Sequence, residues 1–290
     1  MNERVQALRE LSVTTQPHID MERAKSETAT YKKYEGQLSV PELRAQVLYD
    51  YFAAKTLYIG EGELIVGEKG DSPHGAPTFP ELCCHTLEDM HVMNDRELIS
   101  FSVKEEDYDY QEKEIIPFWE KRSTRSKILA NMSDQWKDCY AAGIFTEFME
   151  QRGPGHTVGS FKLYEKGFLD YKADIQASID SLDYFHDTEA FEKRNQLRGM
   201  AKACDAIMLL GARYADYARE LAQKENCDTR KAELLQIAAN CDVVPAHKPQ
   251  TFWQAIQMYW FVHLGVTTEL NPWDAYSPGR FDQHLNPFYQ

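Results

Sequence analysis

The stretch TFWQAIQMYWFVHLGVTTELNPWDAYSPGRFDQHLNPFYQ, residues Thr251–Gln290, decides the fold of this chain. It is rich in aromatic residues, and from Pro249 to Thr268 it contains no charged side chain. About twenty such residues are long enough to cross a bilayer. Four polar residues recur within the run, however, namely Gln250, Gln254, Gln257 and His263. The pattern therefore favours a helix buried inside a protein over a membrane span.

The same stretch turns abruptly polar after Thr268. It continues as Asn271-Pro272-Trp273-Asp274 and then as Ser277-Pro278-Gly279-Arg280. A buried helix thus delivers a carboxylate and a guanidinium to a turn. From the residues alone, Asp274 fits either a ligand-binding carboxylate or a side chain that caps a backbone turn, because Asp bonds readily to nearby N–H groups.

Length and charge restrict the classes of function. The 290 residues allow one large domain or two ordinary ones. There are 46 acidic and 32 basic residues, a formal charge of -14, and no basic block compensates locally. This charge opposes a phosphate-binding surface, so nucleic acid is excluded as the expected partner. The polar opening Met1-Asn2-Glu3-Arg4 lacks an apolar signal core, and we predict the cytoplasm.

Six cysteines are too sparse for a disulfide-stapled secreted scaffold, so we expect reduced thiols. Cys83-Cys84-His85 with His91 resembles a metal-ligand set only superficially, because adjacent cysteines point in different directions and no CxxC pair completes a tetrahedron. We predict no metal site. His74 and His85 lie in a segment rich in Gly and Pro, where histidines usually bond to the backbone.

The hydrophobic pattern predicts many helices and few strands. Helices are expected at Glu3–Ser12, from Asp20 as cap to Tyr34, from Pro41 to about Tyr58, from Asp187 through a stripe ending at Leu221, and from Asp228 to Cys241. Short strands are expected at Leu64–Val66 and Leu98–Val103. No internal repeat or flexible linker appears, so we treat the chain as one continuous domain.

Phe145–Val158 differs from the rest of the helical pattern. A helix-like FTEFMEQR runs into Gly153-Pro154-Gly155-His156, and two glycines around a proline end a helix. His156 is therefore expected on a turn, where an imidazole can donate or accept a proton near neutral pH. The residues alone leave open whether this histidine is functional or structural.

Several long segments resemble the glycyl radical enzymes, the pyruvate formate-lyase-like family. They are YKKYEG at residues 31–36, GELIVGEKGDSPHGAPTFPELCCHT at 62–86, FTEFMEQRGPGHTV at 145–158, KGFLD at 166–170, and the run from Cys241 onward. They occur in the family's order along nearly the whole chain. Within the family the chain looks most like the dehydratases that act on trans-4-hydroxy-L-proline.

The resemblance implies a fold and a site. The fold is α/β, a helix-rich N-terminal portion of a ten-stranded barrel that residues 1–290 do not close. The family's active-site wall implies a catalytic role for His156 near the leaving hydroxyl and an apolar wall at Phe148. Asp274 is implied to be catalytic and to hold the substrate's cationic amine. A polyol such as glycerol or a diol, or a formate-lyase-like substrate, is the alternative within the family.

The resemblance also implies what lies outside this chain. We find neither the family's catalytic cysteine loop nor its C-terminal loop with the radical glycine, so the chain is expected to bind no cofactor and to be inactive alone. The complete enzyme is expected to need a glycyl radical, installed by a radical SAM iron–sulfur activating enzyme, and to form a homodimer. A fragment that only binds a partner is the non-catalytic alternative.

Overall fold

The computed structural model describes residues 2–145, 158–270 and 278–289. Within these ranges the chain is mostly helical. In chain order the helices are α1 (Glu3–Thr14), α2 (Glu22–Tyr34), α3 (Val40–Ala54), α4 (Leu87–Asp95), α5 (Glu105–Tyr110), α6 (Ile116–Trp119), α7 (Thr124–Asn131), α8 (Asp134–Ala141), α9 (Phe168–Asp180), α10 (Ala190–Lys224), α11 (Asp228–Val243), α12 (Phe252–Leu270) and α13 (Phe281–Tyr289). A π-helical turn, Gln111–Ile115, joins α5 to α6, and a 3-10 turn, Ser160–Tyr164, precedes α9.

The first helices form where the sequence predicts them, with small shifts at their ends. Asn2 caps α1 by accepting the Val5 N–H, and the helix runs to Thr14. Asp20 accepts the Glu22 N–H at 2.8 Å, but the prediction that it is the cap of α2 was wrong, because Met21 occupies the N-cap position and makes no side-chain capping bond. The third helix was predicted to reach about Tyr58 and is shorter in the structure. Helix α3 ends at Ala54, and residues 55–60 are irregular.

The strand predictions were wrong. Leu64–Val66 is irregular, with a bend at Leu64 and Ile65, and Leu98–Val103 contributes only an isolated bridge from Ser102 to His18. The sheet of the described residues instead pairs β1 (His18–Asp20) with β2 (Gly75–Pro77) in parallel. Each strand has three residues, which is too short for the period-2 pattern to stand out in a sequence.

The main core surrounds α10. Its buried side chains face α3, α11 and α12, and the cluster includes Tyr51, Phe52, Ile207, Tyr214 and Phe261. The predicted stripe on α10 is confirmed from Cys204 to Ala218. It was wrong at Met200, which is 46% exposed. There the neighbouring Gly199 faces the core instead, because it lies against the backbone of Pro41.

Helix α12 lies in this core, as its uncharged sequence predicts. Met258 and Phe261 are fully buried, and Tyr259 is buried as well. Trp253 and Trp260 are half-buried, with indole N–H groups that bond to backbone carbonyls. Among the described residues, no helix combines the length and the apolar character needed to cross a bilayer.

Gly211 brings α10 against the turn that follows α11. A Cβ at this position would lie 2.5 Å from Cδ of Pro245 and 3.0 Å from the carbonyl oxygen of Val244. Both are ring or backbone atoms, so neither can move aside like the end of a flexible side chain. The lack of a side chain at Gly211 is therefore a packing requirement.

We expect Gly211→Ala to lower the free energy of unfolding by about 1–3 kcal/mol, because the added methyl group overpacks a rigid contact. Chemical unfolding in urea, followed by circular dichroism, measures the change. The matched variant Ala212→Gly changes the exposed neighbour and reports the intrinsic preference of the helix for Ala, about 1 kcal/mol. A Gly211→Ala chain that is more stable than the parent chain contradicts the close approach.

Candidate active site

The three residues that the sequence singles out lie outside the described residues. Phe148 and His156 fall within 146–157, and Asp274 falls within 271–277. Their roles therefore stay predictions. The structure does describe the residues on either side of both stretches, together with the elements that hold those residues in place.

The ends of the two stretches meet in one hydrophobic cluster, which we call the flanking cluster. Its buried members are Val158, Leu163, Tyr164, Ala255, Tyr259, Val262 and Leu285. Val158 comes two residues after His156. Leu270 and Phe281, on either side of the second stretch, are partly buried and pack against the same cluster. Helix α12 thus brings together the chain that leaves the first stretch and the chain that enters and leaves the second.

Polar groups border the flanking cluster on the same helix. The Tyr259 hydroxyl and Nδ1 of His263 share a hydrogen bond of 3.2 Å. The His263 ring stacks on Trp260, with centroids 5.3 Å apart and planes inclined by 11°. Burial lowers the pKa of His263, and the positive charge of Lys69 lowers it further, so the imidazole is neutral at pH 7. Tyr259 and His263 therefore share this hydrogen bond while both side chains are uncharged.

Tyr164 adds a second phenol to the flanking cluster. Burial raises its pKa to about 12, and its hydroxyl has no hydrogen-bond partner in the part of the chain that the structure describes. Its ring lies 5.8 Å from Phe288 on α13. The sequence reasoning did not select Tyr164, Tyr259 or His263. The i, i+4 spacing of Tyr259 and His263 on a helix already expected to be buried was the available signal.

A row of polar side chains ties α12 to the irregular residues 64–67. The indole N–H of Trp253 donates to the Leu64 carbonyl at 2.7 Å, and that of Trp260 donates to the Gly67 carbonyl at 2.8 Å. Between them Gln257 accepts the Val66 N–H at 2.9 Å and donates to the Val66 carbonyl at 2.8 Å. The spacings of four and three residues place all three side chains on one helix face.

Gly67 makes this close approach feasible. Its φ of +131° lies in a region that side-chain-bearing residues rarely adopt, and a Cβ there would lie 2.5 Å from Leu264. Residues 64–67 consequently lie directly against α12. They lead on to Lys69, whose pKa is lowered by burial and by the charge of Arg23, and which affects His263 electrostatically.

We expect Gln257→Leu to lower the free energy of unfolding by about 2–4 kcal/mol, because it leaves the buried N–H and carbonyl of Val66 without partners. Urea unfolding measures the change. Gln254→Leu, on the same helix, is the matched control: water replaces its bond to the N–H of the exposed Gln250, and Asn240 Oδ1, which loses a 3.5 Å bond from Gln254, keeps its bond from Gln236. Equal losses in the two variants contradict a special role for Gln257.

Glu68 introduces a pH dependence into this segment. Burial raises its pKa to about 7, with a further contribution from Glu63. Between about pH 4.5 and pH 7, Glu68 therefore keeps its proton in the folded state. In the unfolded chain its pKa is near 4.5, so the proton is released there. The stabilisation from this proton is complete below about pH 4.5 and is lost as the pH rises through 7.

Glu68→Gln should consequently be more stable than the parent chain at pH 8 by about 1–3 kcal/mol, with a smaller difference at pH 5, because glutamine carries no charge to bury. Urea unfolding at several values between pH 5 and pH 8 gives the profile. Glu61→Gln, which changes an exposed glutamate of the same segment, is the matched control. If the difference in free energy of unfolding between Glu68→Gln and the parent chain does not change with pH, the Glu68 carboxylate is hydrated in the folded state, which contradicts the prediction.

The other histidines considered from sequence lie apart from the flanking cluster. His74 adopts a positive φ of 64°, and its carbonyl accepts the His18 N–H at 3.2 Å. His85 faces Asp89 at 3.8 Å, beside the start of α4. Both fit the structural interpretation. Among the described residues, which include Cys83, Cys84, His85 and His91, there is no group of three or more His, Cys, Asp or Glu side chains that could hold a metal ion.

A large open cleft also lies elsewhere. It has a volume of about 1050 Å³ and is lined by α1, residues 58–62, and the facing ends of α10 and α11. None of its lining residues belongs to the flanking cluster. The cleft therefore plays no part in the candidate site.

Comparisons with known proteins agree with this geometry. The model of the pyruvate formate lyase-like family matches residues 1–290. Among curated proteins, the chain is 58% identical to trans-4-hydroxy-L-proline dehydratase of Clostridioides difficile over 288 residues, which cover 99% of this chain and 36% of that protein. The chain thus spans about a third of the length of this relative.

Solved structures give the same result. The crystal structure of hydroxyproline dehydratase from Clostridioides difficile, with trans-4-hydroxy-L-proline bound, superposes with a TM-score of 0.95 at 58% identity and covers 100% of this chain and 37% of that one. The B12-independent glycerol dehydratase of Clostridium butyricum, with glycerol bound, superposes with a TM-score of 0.92 at 26% identity and covers 99% and 36%. The predicted fold, a helix-rich and incomplete part of the glycyl radical enzyme fold, is confirmed.

Proposed function

We propose, because this chain belongs to the pyruvate formate lyase-like family, that it is the N-terminal part of a glycyl radical dehydratase that eliminates water from trans-4-hydroxy-L-proline. The observation that carries the proposal is the 58% identity to a hydroxyproline dehydratase over nearly the whole chain. This piece supplies one side of the substrate site, and the complete parent enzyme performs the reaction.

Asp274 holds the substrate's amine in this proposal. The ring nitrogen of hydroxyproline is a cation at neutral pH, and a carboxylate binds it through short, directional, charge-assisted hydrogen bonds. Such a contact orients the ring before reaction. The packing of Leu270 and Phe281 in the flanking cluster supports the assignment, because α12 and α13 anchor both ends of the stretch that contains Asp274.

His156 assists departure of the hydroxyl group. Water leaves more readily than hydroxide, so a group that gives a proton to the leaving oxygen, directly or through water, lowers the barrier. Phe148 provides an apolar wall that keeps the ring in place and excludes bulk water. The burial of Val158 in the flanking cluster supports the assignment, because it fixes the chain two residues after His156.

The radical chemistry belongs to parts of the parent enzyme outside this sequence. A glycyl radical, when present, supplies the removal of a hydrogen atom from the substrate. The residues here do not fit that role. Cys204 and Cys241 are buried on the helices α10 and α11, whereas the resemblance to the family implies a cysteine on a separate loop.

The partners of the parent enzyme are part of the same proposal. They are a radical SAM iron–sulfur activating enzyme, which installs the radical, and a second copy of the parent in a homodimer. Reduced cysteines and an oxygen-sensitive radical both suit a reducing compartment, so the cytoplasm remains our prediction.

The test uses a complete parent enzyme that carries residues 1–290 of this sequence, activated without oxygen. We expect it to consume trans-4-hydroxy-L-proline and to leave glycerol and 1,2-propanediol unchanged. Asp274→Asn should lower kcat/KM by about 10–100-fold, because a charge-assisted bond is lost. His156→Gln should lower kcat by about 10²–10⁴-fold, the range for a general acid. Quantifying remaining substrate and product measures both effects.

Two conservative variants serve as controls. Asp282→Asn changes an exposed carboxylate on α13, and His247→Gln changes an exposed imidazole, so neither should alter turnover. Turnover of glycerol but not of hydroxyproline would favour a polyol dehydratase. Unchanged turnover in Asp274→Asn and His156→Gln would refute the assigned roles.

A further inference from the structure

The end of α12 is held by arginines from two other helices. The last four carbonyls of a helix lack intrahelical partners, and positive charge is favourable beside them. Helix α12 has no basic residue in its last turn. Instead Nε of Arg23, on α2, donates to the Thr268 carbonyl at 2.9 Å, and Nη2 of Arg44, on α3, donates to the Glu269 carbonyl at 3.4 Å.

Arg23 is itself fixed by a buried set of acceptors. It is 1% exposed, and its guanidinium bonds to Glu27 at 2.7 Å and to Glu81 at 2.9 and 3.2 Å. It also donates to the Thr78 carbonyl at 3.3 Å and lies 3.9 Å above the Phe79 ring. These contacts engage the guanidinium in the plane and on one face, so Arg23 offers Thr268 a rigid donor.

Arg44 donates hydrogen bonds to both the side chain and the backbone carbonyl of Glu269. Besides the Glu269 carbonyl, its Nη2 bonds to the Glu269 carboxylate, and about a quarter of each side chain in this pair is exposed. The carboxylate of Glu27 near these groups is fully buried, and one of its oxygens accepts no hydrogen bond within the described ranges. The two arginines consequently face three carboxylates, those of Glu27, Glu81 and Glu269.

We propose that Arg23 and Arg44 are positioning residues, which fix the last turn of α12 and thereby determine the affinity of the parent enzyme for its substrate. The chain continues from Leu270 into the stretch with Asp274, so the position of Leu270 sets the point from which that stretch begins. This inference rests on the proposed function only for the choice of substrate. The hydrogen bonds from Arg23 and Arg44 to the end of α12 do not depend on that choice.

The first experiment measures amide hydrogen exchange in the 290-residue chain. Arg44→Gln is the test variant, because removal of the wholly buried Arg23 strands two carboxylates and endangers folding. We expect the amides of residues 267–270 to exchange about tenfold faster, as the loss of a hydrogen bond to a charged group predicts for local opening. Arg44→Lys keeps the charge and should restore part of the protection.

Arg213→Gln is the matched control. Arg213, on α10, donates to the carbonyls of Phe52 and Lys55 at 2.6 and 2.9 Å and so caps the end of α3 in the same manner. Its loss should speed exchange near residues 52–55 and leave residues 267–270 unchanged. Equal exchange at residues 267–270 in Arg44→Gln and the parent chain overturns the proposal.

The second experiment measures kinetics in the complete parent enzyme. Arg44→Gln should raise KM for trans-4-hydroxy-L-proline by about tenfold with a smaller effect on kcat, and Arg213→Gln should leave KM unchanged. An unchanged KM alongside faster exchange overturns the positioning role. A parent enzyme without turnover of hydroxyproline refutes the proposed function instead, and the exchange experiment then decides by itself whether the arginines hold the helix end.

Discussion

The hydrogen bonds between Gln257 and Val66 satisfy both backbone groups of a buried residue that has no strand partner. Buried backbone groups normally meet this requirement within a helix or a sheet. Here one amide side chain replaces the neighbouring strand, and Trp253 and Trp260 satisfy the carbonyls on either side. The position of residues 64–67 depends on these three side chains of α12, and the setting of Lys69 near His263 follows from it.

The sequence predicted the long helices α2, α10, α11 and α12 well and the strands poorly, for a physical reason. Helical periodicity over ten or more residues, as in α10 and α11, reports burial on one face and does not depend on the partner. Leu64-Ile65-Val66 has strand composition, but composition does not reveal whether a strand or a helix side chain will bond to its backbone. The same limit hid β1, which has three residues.

In the candidate site, too, some features could be predicted from the sequence and others could not. His156 on its Gly-Pro-Gly turn and Asp274 after the uncharged run stood out because their residue types contrast with their surroundings. The pairing of Tyr259 with His263, and the arginines that meet the end of α12, could not be found in this way. Those contacts join ordinary helix residues, and only the packing of helices far apart in sequence brings them together.

The arginine contacts also bear on the order in which the chain acquires its structure. Arg23 lies 245 residues from Thr268, and Arg44 lies 225 residues from Glu269. Contacts of such long range close large loops and form late relative to local helices. During synthesis on a ribosome, α2 and α3 emerge well before α12. The two arginines are therefore already present when α12 emerges. The last turn of α12 thus becomes fixed only when the earliest and latest parts of this sequence have met.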